Sequence, residues 1–210
     1  MKKIIIIGAG AMGSAFTVPC LENKNDVTLI GTHLENDLIN SIKSNNNFHP
    51  ALEMELPLKL KVEKFEKLSS ILNGGVDVIV AGVSSIGIKW FVDQISKNYR
   101  KNLPIVLLTK GLAIDENELT TLSDKIKKIL KENGHQEVNV SAIKGPCLAA
   151  GLANKMRTGT VIANPDIKET ESLKKIISTD YYSTEVSDDL TGIELSGAIK
   201  NIYSMLIGAS

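Results

Sequence analysis

Two sets of residues in this sequence stand where they can do chemistry: three glycines near the start and two lysines far along the chain. Gly8, Gly10 and Gly13 have a G-x-G-x-x-G spacing directly after Ile4-Ile5-Ile6-Ile7. In such a spacing the first glycine turns the chain sharply out of a strand. The second lets backbone approach a pyrophosphate with no Cβ in the way, and the third lets the next helix pack closely on the sheet. That helix offers its unpaired N–H groups and positive dipole end to the phosphates. Lys110 follows the apolar run Leu103-Pro104-Ile105-Val106-Leu107-Leu108. Ligand crevices of open parallel sheets lie beyond the carboxyl ends of the strands, so Lys110 either faces the crevice or is a solvated loop residue. Lys200 shares a helical face with Ile193, Gly197 and Ser204. A lysine amid small side chains can approach a ligand, and burial there lowers its pKa toward acid–base use; the alternative is a stem snorkelling along the surface.

These residues need a scaffold that delivers them to one place. Apolar, β-branched runs at residues 4–7, 26–30, 59–62, 76–81, 103–108, 138–143, 158–163 and 181–186 read as strands. Helices are expected over 11–21, 35–44, 68–72, 86–96, 116–132, 148–155 and 168–177, with Gly134 ending the fifth. The stretch 188–210 reads as helix throughout, with Leu195, Ile199, Ile202 and Leu206 at core-facing spacing. Asn45-Asn46-Asn47-Phe48-His49-Pro50 interrupts the pattern with turn formers, an excursion rather than a linker. The alternation predicts an α/β protein with a Rossmann-type doubly wound parallel sheet over residues 1–186. Residues 187–210 are expected to begin an α-helical domain that this sequence leaves incomplete.

The second expected strand ends at Gly31-Thr32-His33. In dinucleotide folds an acidic residue there accepts the ribose 2′-hydroxyl, and a basic one accommodates a 2′-phosphate. Glu35 and Asp37 come late and are assigned to the next helix, leaving Thr32 and His33 as the cofactor-side candidates. His33 either contacts the adenine ribose or caps a turn. With no carboxylate at the strand end, the cofactor is expected to be NAD or NADP with weak discrimination between them.

Composition excludes several other classes. The 210 residues are 43% hydrophobic, enough for a substantial core, and 24 basic residues balance 24 acidic ones. No global field favours nucleic acid or an anionic membrane, so an anionic substrate must be held by local lysines. Cys20 and Cys147 have no C-x-x-C spacing, and His33, His49 and His135 lack metal-ligand spacing. The reading is a reduced, cytoplasmic protein with no metal, membrane or nucleic-acid partner, and a homo-oligomer is left open.

Four motifs in order resemble the NAD(P)-dependent glycerol-3-phosphate dehydrogenase family: Gly8-Ala9-Gly10-Ala11-Met12-Gly13, Leu108-Thr109-Lys110-Gly111, Gly145-Pro146-Cys147-Leu148-Ala149, and Gly192-Ile193-Glu194-Leu195-Ser196-Gly197-Ala198-Ile199-Lys200-Asn201. The resemblance implies reversible hydride transfer between NAD(P)H and dihydroxyacetone phosphate, giving sn-glycerol 3-phosphate for phospholipid synthesis. It implies Lys200 as the proton-transferring residue and Lys110 as a lysine at the cofactor and substrate site. Gly145 and Cys147 fall on the substrate side, and Ala11, Met12 and Ala149 on the cofactor side. Ala11-Met12 stands where many members have Ser-Trp, and Cys147 where Ser is usual. The family's later Arg-Asn phosphate clamp has no counterpart in this sequence, so the resemblance is to an N-terminal portion. Two rival readings are a ketopantoate-reductase-like ketone reductase and a non-catalytic dinucleotide-binding module.

Overall fold

The computed structural model describes residues 1–208, leaving the side chains of Asn201, Ser204 and Leu206 outside the description. The strands are β1 (Lys3–Ile7), β2 (Asp26–Ile30), β3 (Phe48–His49), β4 (Met54–Glu55), β5 (Lys61–Glu63), β6 (Val78–Ala81), β7 (Ile105–Leu107), β8 (Leu112–Asp115), β9 (Glu118–Thr121), β10 (Val140–Lys144), β11 (Thr158–Ala163) and β12 (Tyr182–Ser187). The helices are α1 (Ala11–Glu22), α2 (Asn36–Ser44), α3 (Leu68–Asn73), α4 (Ile88–Ser96), α5 (Leu122–Glu132), α6 (Ala149–Ala153), α7 (Ile167–Ile177) and α8 (Leu190–Gly208).

Eight strands form one sheet in the order β12-β11-β10-β7-β6-β1-β2-β5. Every pairing is parallel except β10–β11, where Ile143 faces Ile162 in antiparallel register. The Rossmann-type reading therefore holds, with a reversed pair added beyond β10. Because successive strand side chains point to opposite faces, Ile4 and Ile6 enter one apolar cluster while Ile5 and Ile7 enter another. The first cluster takes Phe16 of α1, Ile39 and Ile42 of α2, Leu152 of α6 and Leu173 of α7. The second takes Leu72 of α3, Phe91 of α4, Ile126 of α5 and Leu190 of α8. A strand buried on both faces has no polar side to show, which explains the unbroken isoleucine run of β1. Strand order reverses between β1 and β6, so the chain parts at their carboxyl ends and opens a crevice there.

The expected helix over 116–132 starts too early. Residues 112–121 form the β8–β9 hairpin, turned by Glu116 (φ 49°) and Asn117 (φ 68°), and α5 starts at Leu122. Two consecutive left-handed residues make a tight hairpin turn, but Glu-Asn lacks the glycine that announces one. The charges that suggested a helix surface tie the hairpin to α5: Asp115 accepts from Lys125 and from Lys128, the latter at 2.6 Å. Thr121 caps α5 by accepting from the Asp124 N–H at 3.1 Å.

The expected inward face of the last helix is also corrected. Leu195 and Ile202 are 39% and 56% exposed, whereas Glu194 is fully buried. The helix turns its small-residue face to β10, where Gly197 lies against the Lys144 stem; a Cβ there would come 3.0 Å from Lys144 Cδ. Ile199 is half-buried, and the Leu206 and Ser204 expectations fall on side chains outside the described residues.

Candidate active site

The three glycines of the first turn do different work. A Cβ on Gly8, whose φ is +109°, would lie 2.7 Å from the Gly82 backbone, and one on Gly13 would lie 2.2 Å from the Gly8 carbonyl oxygen. These positions are closed by the protein itself. A Cβ on Gly10 would meet nothing within 4 Å. Gly10 is the N-cap residue of α1, so its surroundings combine open space with the free N–H groups of a helix start. A pyrophosphate fits that cradle.

A crevice of about 430 Å³ extends from the turn, lined by Gly10, Ala11 and Met12 on one side, and by Ser84, Ser85 and Lys110 on the other. Thr109 fixes the far wall by donating its hydroxyl to the Val83 carbonyl at 2.7 Å, joining the ends of β7 and β6. Behind Met12 and Lys110 a small hollow continues to Gly145, Cys147, Thr160 and Tyr182. A Cβ on Gly145 would meet the Gly159 carbonyl oxygen at 2.8 Å, so this position serves close packing of β10 on β11. A separate hollow of about 260 Å³, lined by Lys3, Asp26 and Lys61 at the opposite strand ends, contains none of the candidate residues.

Lys110 and Lys200 come together at the crevice. Burial first, then the Lys200 charge and a hydrogen bond with Lys200, lower the Lys110 pKa from its ordinary value. Burial raises the Cys147 pKa, making this thiol a poor nucleophile, although both lysines counteract the shift.

Of the remaining expected residues, Ala11 and Met12 join Gly10 in the crevice wall. Ala149 opens α6, which packs on α1, and it lies against the core cluster together with Ala11 and Met12. Thr32 directs its N–H to Glu35 Oε2 at 2.7 Å. His33 is exposed and tilts against Trp90 with ring centroids 5.0 Å apart, outside the crevice lining.

The sequence reading missed three residues. Glu35 precedes α2, yet its carboxylate folds back to the strand end and also accepts from the Ala9 N–H at 3.0 Å. The expectation of no carboxylate there counted sequence position and not reach. Lys144, 4% exposed, donates to the carbonyls of Thr109 and, at 3.4 Å, Leu107. Burial lowers its pKa to about 8, opposed by the Glu194 charge and aided by that of Lys110. Glu194 receives the Ser123 N–H at the start of α5. A lysine closing an apolar strand immediately before Gly-Pro was the one available sign. Among the described residues, no group of three or more His, Cys, Asp or Glu could hold a metal, and no helix is long and apolar enough to cross a membrane.

Residues 3–170 match the family described as NAD-dependent glycerol-3-phosphate dehydrogenase N-terminus. A NADP(+)-dependent glycerol-3-phosphate dehydrogenase of Archaeoglobus fulgidus is 34% identical over 97% of this chain and 59% of the relative. A glycerol-3-phosphate dehydrogenase [NAD(P)+] of Mesoplasma florum is 31% identical over the same shares, 97% and 59%. The crystal structure of glycerol-3-phosphate dehydrogenase from Coxiella burnetii superposes with a TM-score of 0.81 at 23% identity, covering 97% of this chain and 59% of that one. The chain thus spans less than two thirds of the length of these relatives.

Proposed function

The chain belongs to the NAD-dependent glycerol-3-phosphate dehydrogenase family, and from that premise we propose that it binds NAD(P)H and takes part in reducing dihydroxyacetone phosphate to sn-glycerol 3-phosphate. The observation that carries this reading is the convergence on one crevice of an open glycine turn and Lys110, with the Lys200 charge beside Lys110. The Gly10 backbone and the first turn of α1 would hold the pyrophosphate, in the crevice that Ala11 and Met12 also line. A nicotinamide held there supplies the hydride.

The chain's own contribution is charge and a proton. Reducing a ketone builds negative charge on its oxygen, and an ammonium beside that oxygen stabilises the charge and delivers the proton. Lys200 is the proton donor in this reading, and acts as base in reverse. Lys110, at the crevice edge, orients the anionic substrate and holds its proton less tightly, first because of burial and then because of the Lys200 charge. Gly145 and Cys147 border the substrate end, and Ala149 supports the cofactor side.

The same reading divides the chain at residue 186: a dinucleotide-binding unit, then α8 as the start of a helical substrate-binding part. The exposed Ile202, Tyr203, Met205 and Ile207 on α8 support that division. The unpaired Cys20 and Cys147 suit a reducing, cytoplasmic setting. The test is dihydroxyacetone phosphate-dependent oxidation of NADH and NADPH, with ketopantoate as the alternative substrate. Oxidation with ketopantoate alone would favour the rival ketone reductase, and cofactor binding without turnover of either substrate would favour a binding module.

A further inference from the structure

His49 comes from the segment that interrupts the βα pattern, yet it is fully buried against the glycine turn. Its Nε2 lies 2.9 Å from the Ala9 carbonyl oxygen. A carbonyl only accepts, so Nε2 carries the hydrogen of this bond. The other ring nitrogen, Nδ1, is buried with no hydrogen-bond partner among the described residues. A protein that leaves one ring nitrogen unsatisfied in its interior needs a gain at the other.

The gain lies in the orientation of one peptide unit. The Ala9 carbonyl also accepts from the Ser14 hydroxyl at 3.1 Å, so two donors hold it inward. In a planar trans peptide the N–H points opposite to the C=O. Fixing the Ala9 carbonyl inward therefore turns the Gly10 N–H outward, on the side where Gly10 lines the crevice and a Cβ would meet no atom. The preceding peptide is fixed as well, because the Ala9 N–H donates to Glu35 Oε2 at 3.0 Å. We propose that His49 is a positioning residue for the cofactor, holding the Ala9–Gly10 peptide so that the Gly10 N–H is preset to bind a dinucleotide pyrophosphate. This rests on the cofactor site proposed above.

The fold around His49 suits that task. Residues 48–49 pair with 54–55 in the short β3–β4 hairpin, setting His49 opposite Met54. Leu52 and Leu56 of the same excursion are buried in the cluster that contains Ala9. The excursion thus carries a ring beneath the turn and anchors it there. A loop that merely bridged α2 to β5 would need neither feature.

The experiment is calorimetric titration of the 210-residue chain and its His49→Phe and His49→Gln variants with NADH, ADP-ribose and adenosine. Phenylalanine keeps a ring without a donor, and glutamine restores an N–H near the Nε2 position. Loss of one preset hydrogen bond should weaken NADH and ADP-ribose about tenfold in His49→Phe, with recovery in His49→Gln. Adenosine, which has no pyrophosphate, should bind all proteins alike. Equal NADH affinity in wild type and His49→Phe would overturn the proposal, as would an equal loss for adenosine, which marks a general structural defect. If wild type fails to bind NADH, the cofactor reading falls and takes this proposal with it. Should His49→Phe fail to fold, amide NMR of wild type decides: on adding ADP-ribose, a larger shift at Gly10 than at Ala9 supports the proposal, and an unmoved Gly10 overturns it.

Discussion

Replacing Lys144 with methionine should change how stability depends on pH. Lys144 is 4% exposed, and burial lowers its pKa from 10.5 to about 8. A lysine whose pKa falls on folding is held less tightly by the folded chain, so its charge penalises folding at low pH. The penalty is complete below pH 8 and fades as pH rises from about 8 to 10.5. At about 1.4 kcal/mol per pKa unit the full swing is about 3 kcal/mol, of which about 2 kcal/mol appears between about pH 7 and pH 9.5. Urea unfolding of wild type and Lys144→Met across that range measures it. Other groups titrate too: burial raises the Cys20, Cys147, Tyr181 and Tyr182 pKa values, and such groups erode stability as pH rises. They are common to both proteins, so the difference between the two curves isolates Lys144. Wild type should gain on the variant by about 2 kcal/mol over this interval. Parallel curves would refute a buried, charge-penalised Lys144.

In a preparation that turns over dihydroxyacetone phosphate, Lys200→Ala should lower kcat by about 10²–10⁴-fold while NADH affinity stays intact; an unchanged kcat would remove Lys200 from proton transfer. Lys110→Ala should raise KM for the anionic substrate as well as slow the reaction, which steady-state kinetics would separate. Because the Lys200 charge helps to lower the Lys110 pKa, Lys200→Ala should also move the Lys110 titration to higher pH, observable by NMR of the labelled ammonium. Glu35→Gln removes a carboxylate at the carboxyl end of β2, where it would oppose a 2′-phosphate. It should shift the NADPH-to-NADH affinity ratio toward NADPH by about fivefold to tenfold, and an unmoved ratio would show that Glu35 serves only the backbone.

What could be read from the sequence was local or strongly patterned. The isoleucine run, the glycine turn and α1 form one continuous segment, and the strand at Thr158–Ala163 matches its expected bounds. The β8–β9 hairpin escaped because a Glu-Asn turn in a charged stretch satisfies helix periodicity equally well, and the Asp115–Lys128 tie that settles the matter is tertiary. The inward face of α8 was misread for a related reason. Its apolar residues outnumber its core contacts, and the face taken inward is chosen by the space Gly197 leaves for Lys144. Glu35 and His49 were invisible as turn-holding groups, since reach across 26 and 40 residues leaves no trace in spacing. The fold was thus legible through period and punctuation, whereas the site's supporting shell depended on contacts between distant segments.

The central claim is that the first glycine turn holds a nicotinamide dinucleotide, and Gly10→Val tests it most directly. Gly10 has φ −63° and ψ 170°, a conformation open to valine, and a Cβ there meets no protein atom within 4 Å. The variant should therefore fold, with at most a loss of about 1 kcal/mol for valine in place of an N-cap glycine. Titrated with NADH by fluorescence, wild type should bind and Gly10→Val should not, because the side chain fills the space the pyrophosphate takes. A folded Gly10→Val protein that binds NADH as wild type does would contradict the account.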